Sequence, residues 1–222
     1  MLASAEALVR WQHPDLGLLG PGQFIPLLEN SGMITELDLF VWERTAEQIA
    51  AWKQRFGRTV PVSVNVSRID MLSSELPEIL KGITARHGLA PADLVLEITE
   101  SAYTGEADNI IAMARALREA GFRIEMDDFG TGYSSLGMLT SLPIDALKLD
   151  MTFVRNGFGE KRDVRMIQLI IDIAGNLKVP VIAEGVETEE QMRELKAMGC
   201  DLIQGYYFSR PVPAEEFEKL LD

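Results

Sequence analysis

The stretch Asp93–Asp127, DLVLEITESAYTGEADNIIAMARALREAGFRIEMD, decides the fold. It opens on Asp93–Thr99, a run too short for a helix, rich in Leu, Val and Ile, and apolar on both alternating faces. Such a run suits a strand buried in a parallel sheet. A helical candidate follows over Ala107–Ala120, and Gly121 stands where a left-handed C-terminal cap is expected. Phe122–Asp127 (FRIEMD) then reads as a second buried strand. The unit is therefore strand, helix, strand.

Outward from this unit the alternation repeats. Further strand-like runs are Ala3–Arg10, Val60–Val66, Asp145–Asp150, Val179–Glu184 and Asp201–Gln204. Helical candidates are Leu76–His87, Val164–Leu177, Glu189–Met198 and Ile34–Phe56, the last with Ile34, Leu37, Val41, Thr45, Ile49, Trp52 and Phe56 recurring at three or four. Gly88 and Gly199 fit further C-caps, and Thr188 with Gln191 three residues on reads as a capping box. Strands alternating with helices define an α/β class.

The chain has 222 residues, and at about 100–200 residues per domain the absence of a linker-like stretch reads as one domain. Against 34 acidic residues stand only 21 basic ones, so a broad cationic footprint for a nucleic acid polymer or an anionic membrane is excluded. A small anionic ligand then needs local help from a cation or a metal. The one cysteine, Cys200, excludes a disulfide framework or thiolate zinc site and fits a reducing, cytoplasmic compartment. No apolar run reaches the ~18 residues of a membrane span. The ten methionines read as core filler, and His13 and His87 as solvent-facing residues near turns or helix ends.

Chemistry collects at the strand ends, where Glu6, Asn65, Glu97, Asp127 with Asp128, Lys148, Glu184 and Gln204 stand. Any one of them alone reads as a solvated terminus or an ion pair. In a closed βα barrel, however, all C-terminal strand ends meet at one mouth. Five carboxylates there with one ammonium repel one another unless a cation neutralises them, and oxygen ligands select hard ions such as Mg²⁺, Mn²⁺ or Ca²⁺. The Asp127–Asp128 pair suits a carboxylate bridging two ions about 4 Å apart, an arrangement that attacks phosphoesters. Lys148 then orients or deprotonates water, or neutralises charge on phosphorus. After the pair, Gly130 and Gly132 read either as a mobile lid or as a plain turn into a helix.

Glu6-Ala-Leu8 with Arg10, Ser63-Val-Asn65, Glu97-Ile-Thr-Glu100, Asp127-Asp-Phe-Gly-Thr-Gly-Tyr-Ser-Ser-Leu136, Lys148-Leu-Asp150, Ala183-Glu-Gly-Val-Glu187, Gln204-Gly205 and Ser209-Arg-Pro211 together resemble the EAL domain, a family of bacterial cyclic di-GMP phosphodiesterases. The resemblance covers essentially the whole chain. It implies a modified TIM-type (β/α)8 barrel that hydrolyses one phosphodiester bond of cyclic di-GMP to linear pGpG with Mg²⁺ or Mn²⁺, while Ca²⁺ inhibits. By motif position it implies Glu6, Asn65, Glu97 and Asp127 as ligands of a first metal, and Asp127 with Asp128 as the pair for a second. Glu184 is implied as a further ligand, direct or through water, or as a base. Lys148 and Gln204 hold the nucleophilic water and Arg10 grips a substrate phosphate, unless it pairs with an acid such as Asp15. Glu100 is similar to the residue that braces the 128–136 loop, Glu187 supports the site or simply opens the next helix, and Asp150 has no assigned role.

A homodimer with a contact around Ser134–Leu142 is also implied. Two other classes remain: a receptor that binds cyclic di-GMP without cutting it, disfavoured because the motif acids are all present, and a Schiff-base lyase on Lys148, disfavoured because acids keep that ammonium charged. The family carries one more strand upstream of the Glu6 strand, so residues 1–222 are expected to be an N-terminally trimmed EAL domain of a longer multidomain protein. Seven strands, not eight, are counted, with the Glu6 strand the least well supported.

Overall fold

The computed structural model describes residues 2–103, 107–130, 141–158 and 161–221. In chain order the elements are β1 (Ala5–Glu6), β2 (Trp11–His13), β3 (Gly17–Leu19), α1 (Pro21–Ser31), α2 (Ile34–Phe56), β4 (Val62–Asn65), α3 (Arg68–Met71), α4 (Leu76–Arg86), β5 (Leu94–Thr99) and α5 (Ala107–Glu119). They continue as β6 (Arg123–Phe129), β7 (Ala146–Leu149), α6 (Met151–Gly157), α7 (Lys161–Leu177), β8 (Val181–Ala183), α8 (Glu189–Ala197), β9 (Leu202–Ile203) and α9 (Ala214–Phe217). Among the described residues one seven-stranded sheet runs β1-β4-β5-β6-β7-β8-β9, with β2 and β3 forming a separate hairpin. The seven strands are the seven runs read from the sequence, each trimmed or shifted at its ends. The expected contact around Ser134–Leu142 falls, for residues 134–140, outside the described residues, as does Gly132.

The chain gathers into two compact units, one of residues 1–96, 116–123 and 214–222, the other of residues 97–115 and 124–213. In the first unit β1 pairs with β4 in parallel, Glu6 opposite Ser63. Helix α2 buries Ile34, Trp42, Ala46, Ile49 and Trp52. The buried stripe is rotated from the expected one, so that Asp38 and Trp42 are inside while Leu37 and Val41 are half-buried. Both inner residues have polar reasons: Trp42 Nε1 donates to the Asn65 carbonyl at 3.0 Å, and Asp38 Oδ2 accepts from the Ser67 amide at 3.1 Å. Trp52 stacks on Phe217, ring centroids 5.2 Å apart, joining α9 to α2.

The second unit holds β6, β7, β8 and β9, paired in parallel in that order. Leu147, Leu149, Ile182 and Ala183 fill the middle of this sheet, and Ile167, Ile170, Ile171 and Ala174 of α7 are buried. The capping box read at Thr188 is present: its hydroxyl accepts from the Gln191 amide at 3.2 Å and Gln191 Oε1 accepts from the Thr188 amide at 3.0 Å.

The first strand-like run, Ala3–Arg10, yields only Ala5–Glu6 as strand, and the hairpin β2–β3 and helix α1 were not read from the sequence. Leu16 and Leu18 are 69% and 65% exposed, and each strand is three residues long, shorter than the run over which alternation announces a strand. Its turn is built by His13, whose Nδ1 accepts from the amides of Asp15 and Leu16 at 3.1 and 3.2 Å. His13 is thus half-buried and engaged, and His87 Nε2 lies 2.8 Å from Glu43, so neither ring simply faces solvent. Met71 and Met126 are buried filler, whereas Met33, Met151 and Met166 are exposed.

The Asp38 carboxyl, ordinarily near 3.8, is pushed up to about 8, first by burial and then by the hydrogen bond and charge of Asp70, against the lowering effect of Ser67. A carboxyl held protonated in the fold but ionised in the open chain makes the unfolded state the poorer proton binder. Stability should therefore fall as pH rises from about 4 to about 8. In Asp38→Asn, thermal melts across this range should lose that slope, leaving the variant more stable than the parent at alkaline pH. An unchanged slope would place the titration elsewhere.

Candidate active site

Lys148 sits in β7, where all four residues are buried. A buried ammonium demands charged partners. Its Nζ lies 2.7 Å from Glu97 Oε1, 2.8 Å from Glu184 Oε1 and 3.3 Å from Asp127 Oδ1. Glu97 comes from β5, Asp127 from β6, and Glu184 follows β8 directly. The parallel register sets Lys148 opposite Ile182 and Leu149 opposite Ala183, and the Glu184 amide donates to the Leu149 carbonyl at 3.2 Å. The end of β8 is thereby held beside the Lys148 strand.

Three carboxylates around one ammonium leave an excess of negative charge in a low-dielectric place. The donors are all oxygens, which suits a hard divalent ion. Among the described residues no three His, Cys, Asp or Glu side chains form a group disposed to hold a metal ion, and Lys148 Nζ lies within 3.3 Å of all three carboxylates. The charge excess and the all-oxygen donors are the chemistry that a hard divalent cation would take.

Asp127 and Asp128 both lie within β6, which the sequence reading ended at Asp127. A regular strand sends neighbouring side chains to opposite faces. Here the register against β7 shifts between Met126 and Phe129, and Asp128 takes a left-handed φ of 56°. The Asp128 amide donates to Asp127 Oδ1 at 2.9 Å. Left-handed backbone costs a non-glycine residue on the order of 1–3 kcal/mol, less for Asp than for most. This bulge is a strained feature at the acid pair, of a kind that re-aims side chains.

Buried Glu100 accepts through Oε2 from the Gly130 amide at 2.7 Å. Glu187 is 45% exposed, and its Oε1 accepts from Arg155 Nη2 at 2.8 Å and Nε at 3.2 Å. Gln204 lies just past β9 with its backbone locked at both ends, its amide donating to Ala183 at 2.8 Å and its carbonyl accepting from Val186 at 3.1 Å. In the other unit, Glu6 is in β1 and Asn65 closes β4. Arg10 is exposed and donates from Nη1 to the Val9 carbonyl at 2.8 Å. Asp150, left without a role by the sequence, caps α6: its Oδ1 accepts from the Thr152 amide at 2.9 Å and also bonds the Thr152 hydroxyl. An Asp before a helix is a legible N-cap, but α6 itself was not read.

The EAL domain pattern matches residues 1–211, and the chain belongs to the EAL domain family. It is 42% identical over 216 residues to the cyclic di-GMP phosphodiesterase NbdA of Pseudomonas aeruginosa, covering 97% of this chain and 28% of that protein. Among solved structures it is similar to the PaMucR phosphodiesterase in its c-di-GMP complex, with TM-score 0.91, 37% identity, and coverage of 96% of this chain and 86% of that one. It is also similar to the EAL enzyme Bd1971 in its cAMP- and cyclic-di-GMP-bound form, with TM-score 0.93, 31% identity, and coverage of 99% and 60%. The seven parallel strands with their helices are therefore the barrel-type α/β fold of this family.

In Lys148→Met, buried Glu97 and half-buried Asp127 and Glu184 lose their shared cation. Breaking a buried pair by removing one partner costs about 3–5 kcal/mol. Chemical denaturation at neutral pH should show a loss of this order. Parental stability at neutral pH would mean that the ammonium does not compensate them.

Proposed function

We propose that this domain hydrolyses one phosphodiester bond of cyclic di-GMP to linear pGpG, using Mg²⁺ or Mn²⁺. The carrying observation is the buried Lys148 ammonium among Glu97, Asp127 and Glu184 in an EAL fold. Glu6, Asn65, Glu97 and Asp127 would hold one ion and Asp127 with Asp128 a second, with Glu184 joining directly or through water. When bound, the ions polarise the phosphodiester and lower the pKa of the attacking water.

The chain's own residues do the rest. Lys148 and Gln204 hold the water oxygen facing phosphorus, and Glu184 accepts its proton. Water adds to phosphorus, the bond to the departing 3′ oxygen breaks, and that oxygen takes up a proton. Arg10 binds a phosphate of the substrate. Glu100 fixes Gly130 and the end of the acid-pair strand, and Glu187 ties the segment after Glu184 to Arg155. A cytoplasmic location and a homodimer belong to the same reading. The single cysteine, Cys200, fits a reducing compartment, and no described helix is long and apolar enough to cross a membrane.

Incubation with cyclic di-GMP and Mn²⁺, followed by chromatography, should yield pGpG, with Mg²⁺ also effective and Ca²⁺ supporting little turnover because its looser coordination positions water poorly. Excess chelator should abolish the reaction. Equal activity in chelator would refute the metal mechanism, and tight binding without cleavage would make the domain a receptor instead.

Glu6→Ala, Asp127→Ala and Lys148→Ala should each lower the catalytic rate by at least about 10²-fold, the loss typical of a key catalytic group. Arg10→Ala should chiefly raise KM. Steady-state kinetics checks both, and near-parental turnover in Lys148→Ala would remove its role in handling water.

A further inference from the structure

Helix α6 follows Lys148 by three residues and touches both neighbouring site segments of the second unit. Its N-terminus is fixed by Asp150, which is 7% exposed. On one side the ring of Phe153 lies against Gly130, so close that a Cβ on that glycine would stand 2.3 Å from Cε2 and 2.5 Å from Cζ. On the other side Met151 lies against Gly185, where a Cβ would stand 2.4 Å from the Met151 Cβ. One turn further along, Arg155 grips Glu187. Gly130 immediately follows the strand that bears Asp127 and Asp128, and Gly185 immediately follows Glu184.

We propose that α6 is a positioning element that sets the Asp127–Asp128 bulge and the Glu184 turn against Lys148, with Phe153 as its positioning residue. The bulge holds a residue in left-handed backbone, and a conformation of that kind persists only when its surroundings over-determine it. Two contacts do so at Gly130: Glu100 accepts from its amide, and the Phe153 ring closes the side a Cβ would occupy. Met151 and Arg155 act in the same way on the Gly185–Glu187 segment. The helix thus relates two acids to the ammonium they share, without touching substrate. This inference rests on the hydrolytic reading for its kinetic consequence, but not for its structural one.

The test is a double-mutant cycle of Phe153→Ala and Glu100→Ala, read by kinetics with cyclic di-GMP and by hydrogen exchange at the Gly130 amide. A misplacement near 1 Å costs up to about 10²-fold in rate. Phe153→Ala should therefore lower kcat about 10- to 100-fold with KM little changed, and Phe153→Leu should recover most of it. The double variant should be little slower than the slower single one, because both act through Gly130. Exchange at Gly130 should speed up in Phe153→Ala while protection of β8 is kept, and Phe153→Leu supplies the same comparison if the alanine variant does not fold. Additive losses, or Gly130 exchange unchanged, would overturn the proposal. Parent protein without turnover would refute the hydrolytic reading alone, and Gly130 exchange would still decide the positioning role.

Discussion

A single buried ammonium organises the second unit. Lys148 is 1% exposed and Glu97 fully buried, so neither charge can turn to water for relief. Such a pair is stable only with good geometry and further partners, and Asp127 and Glu184 supply them. The requirement propagates into the fold. Glu97, Lys148 and Asp127 must come from β5, β7 and β6, and Glu184 must arrive at the end of β8, all within reach of one nitrogen. Neighbouring parallel strands meet that demand, with Lys148 opposite Ile182 and Glu184 two residues further on, just past the end of β8.

The acid pair places a second, conflicting demand on β6. Two consecutive carboxylates cannot serve one place from a regular strand, since neighbours alternate between faces. The observed solution is a bulge, with Asp128 left-handed and Asp127 accepting from the amide that follows it. Strain of this kind needs holding, and Gly130 is held by the Glu100 carboxylate and by the ring of Phe153. Polar groups far from neutral water and a backbone far from ideal are thus part of one arrangement.

Much of this was legible in the sequence. The buried strands announced themselves because both faces of Leu94–Ile98 and of the 181–183 run are apolar, and the helix caps because glycine or threonine stood at fixed offsets. The carboxylates and Lys148 were legible as strand-end residues, and Glu100 as the last acid of the Glu97–Glu100 motif. What escaped was short-range or irregular. The hairpin β2–β3 has strands of only three residues and carries exposed leucines, and α6 is only seven residues long. Asp38 escaped because a buried acid leaves no apolar mark on a helix pattern. The bulge was hidden as well, since its cause is a register shift against a neighbouring strand and not a residue type.

The placement of the tryptophans has an optical consequence. All three, Trp11, Trp42 and Trp52, lie in the first unit, two of them buried and the third about half exposed. Trp42 is hydrogen-bonded to the end of β4 and Trp52 is stacked on Phe217, so their emission is a direct readout of how tightly α2, β4 and α9 are packed. The sheet that carries Lys148 contributes no tryptophan at all. Intrinsic tryptophan fluorescence therefore watches one unit of this chain and is silent about local packing around the ammonium, which a reporter introduced into residues 97–115 or 124–213 would see.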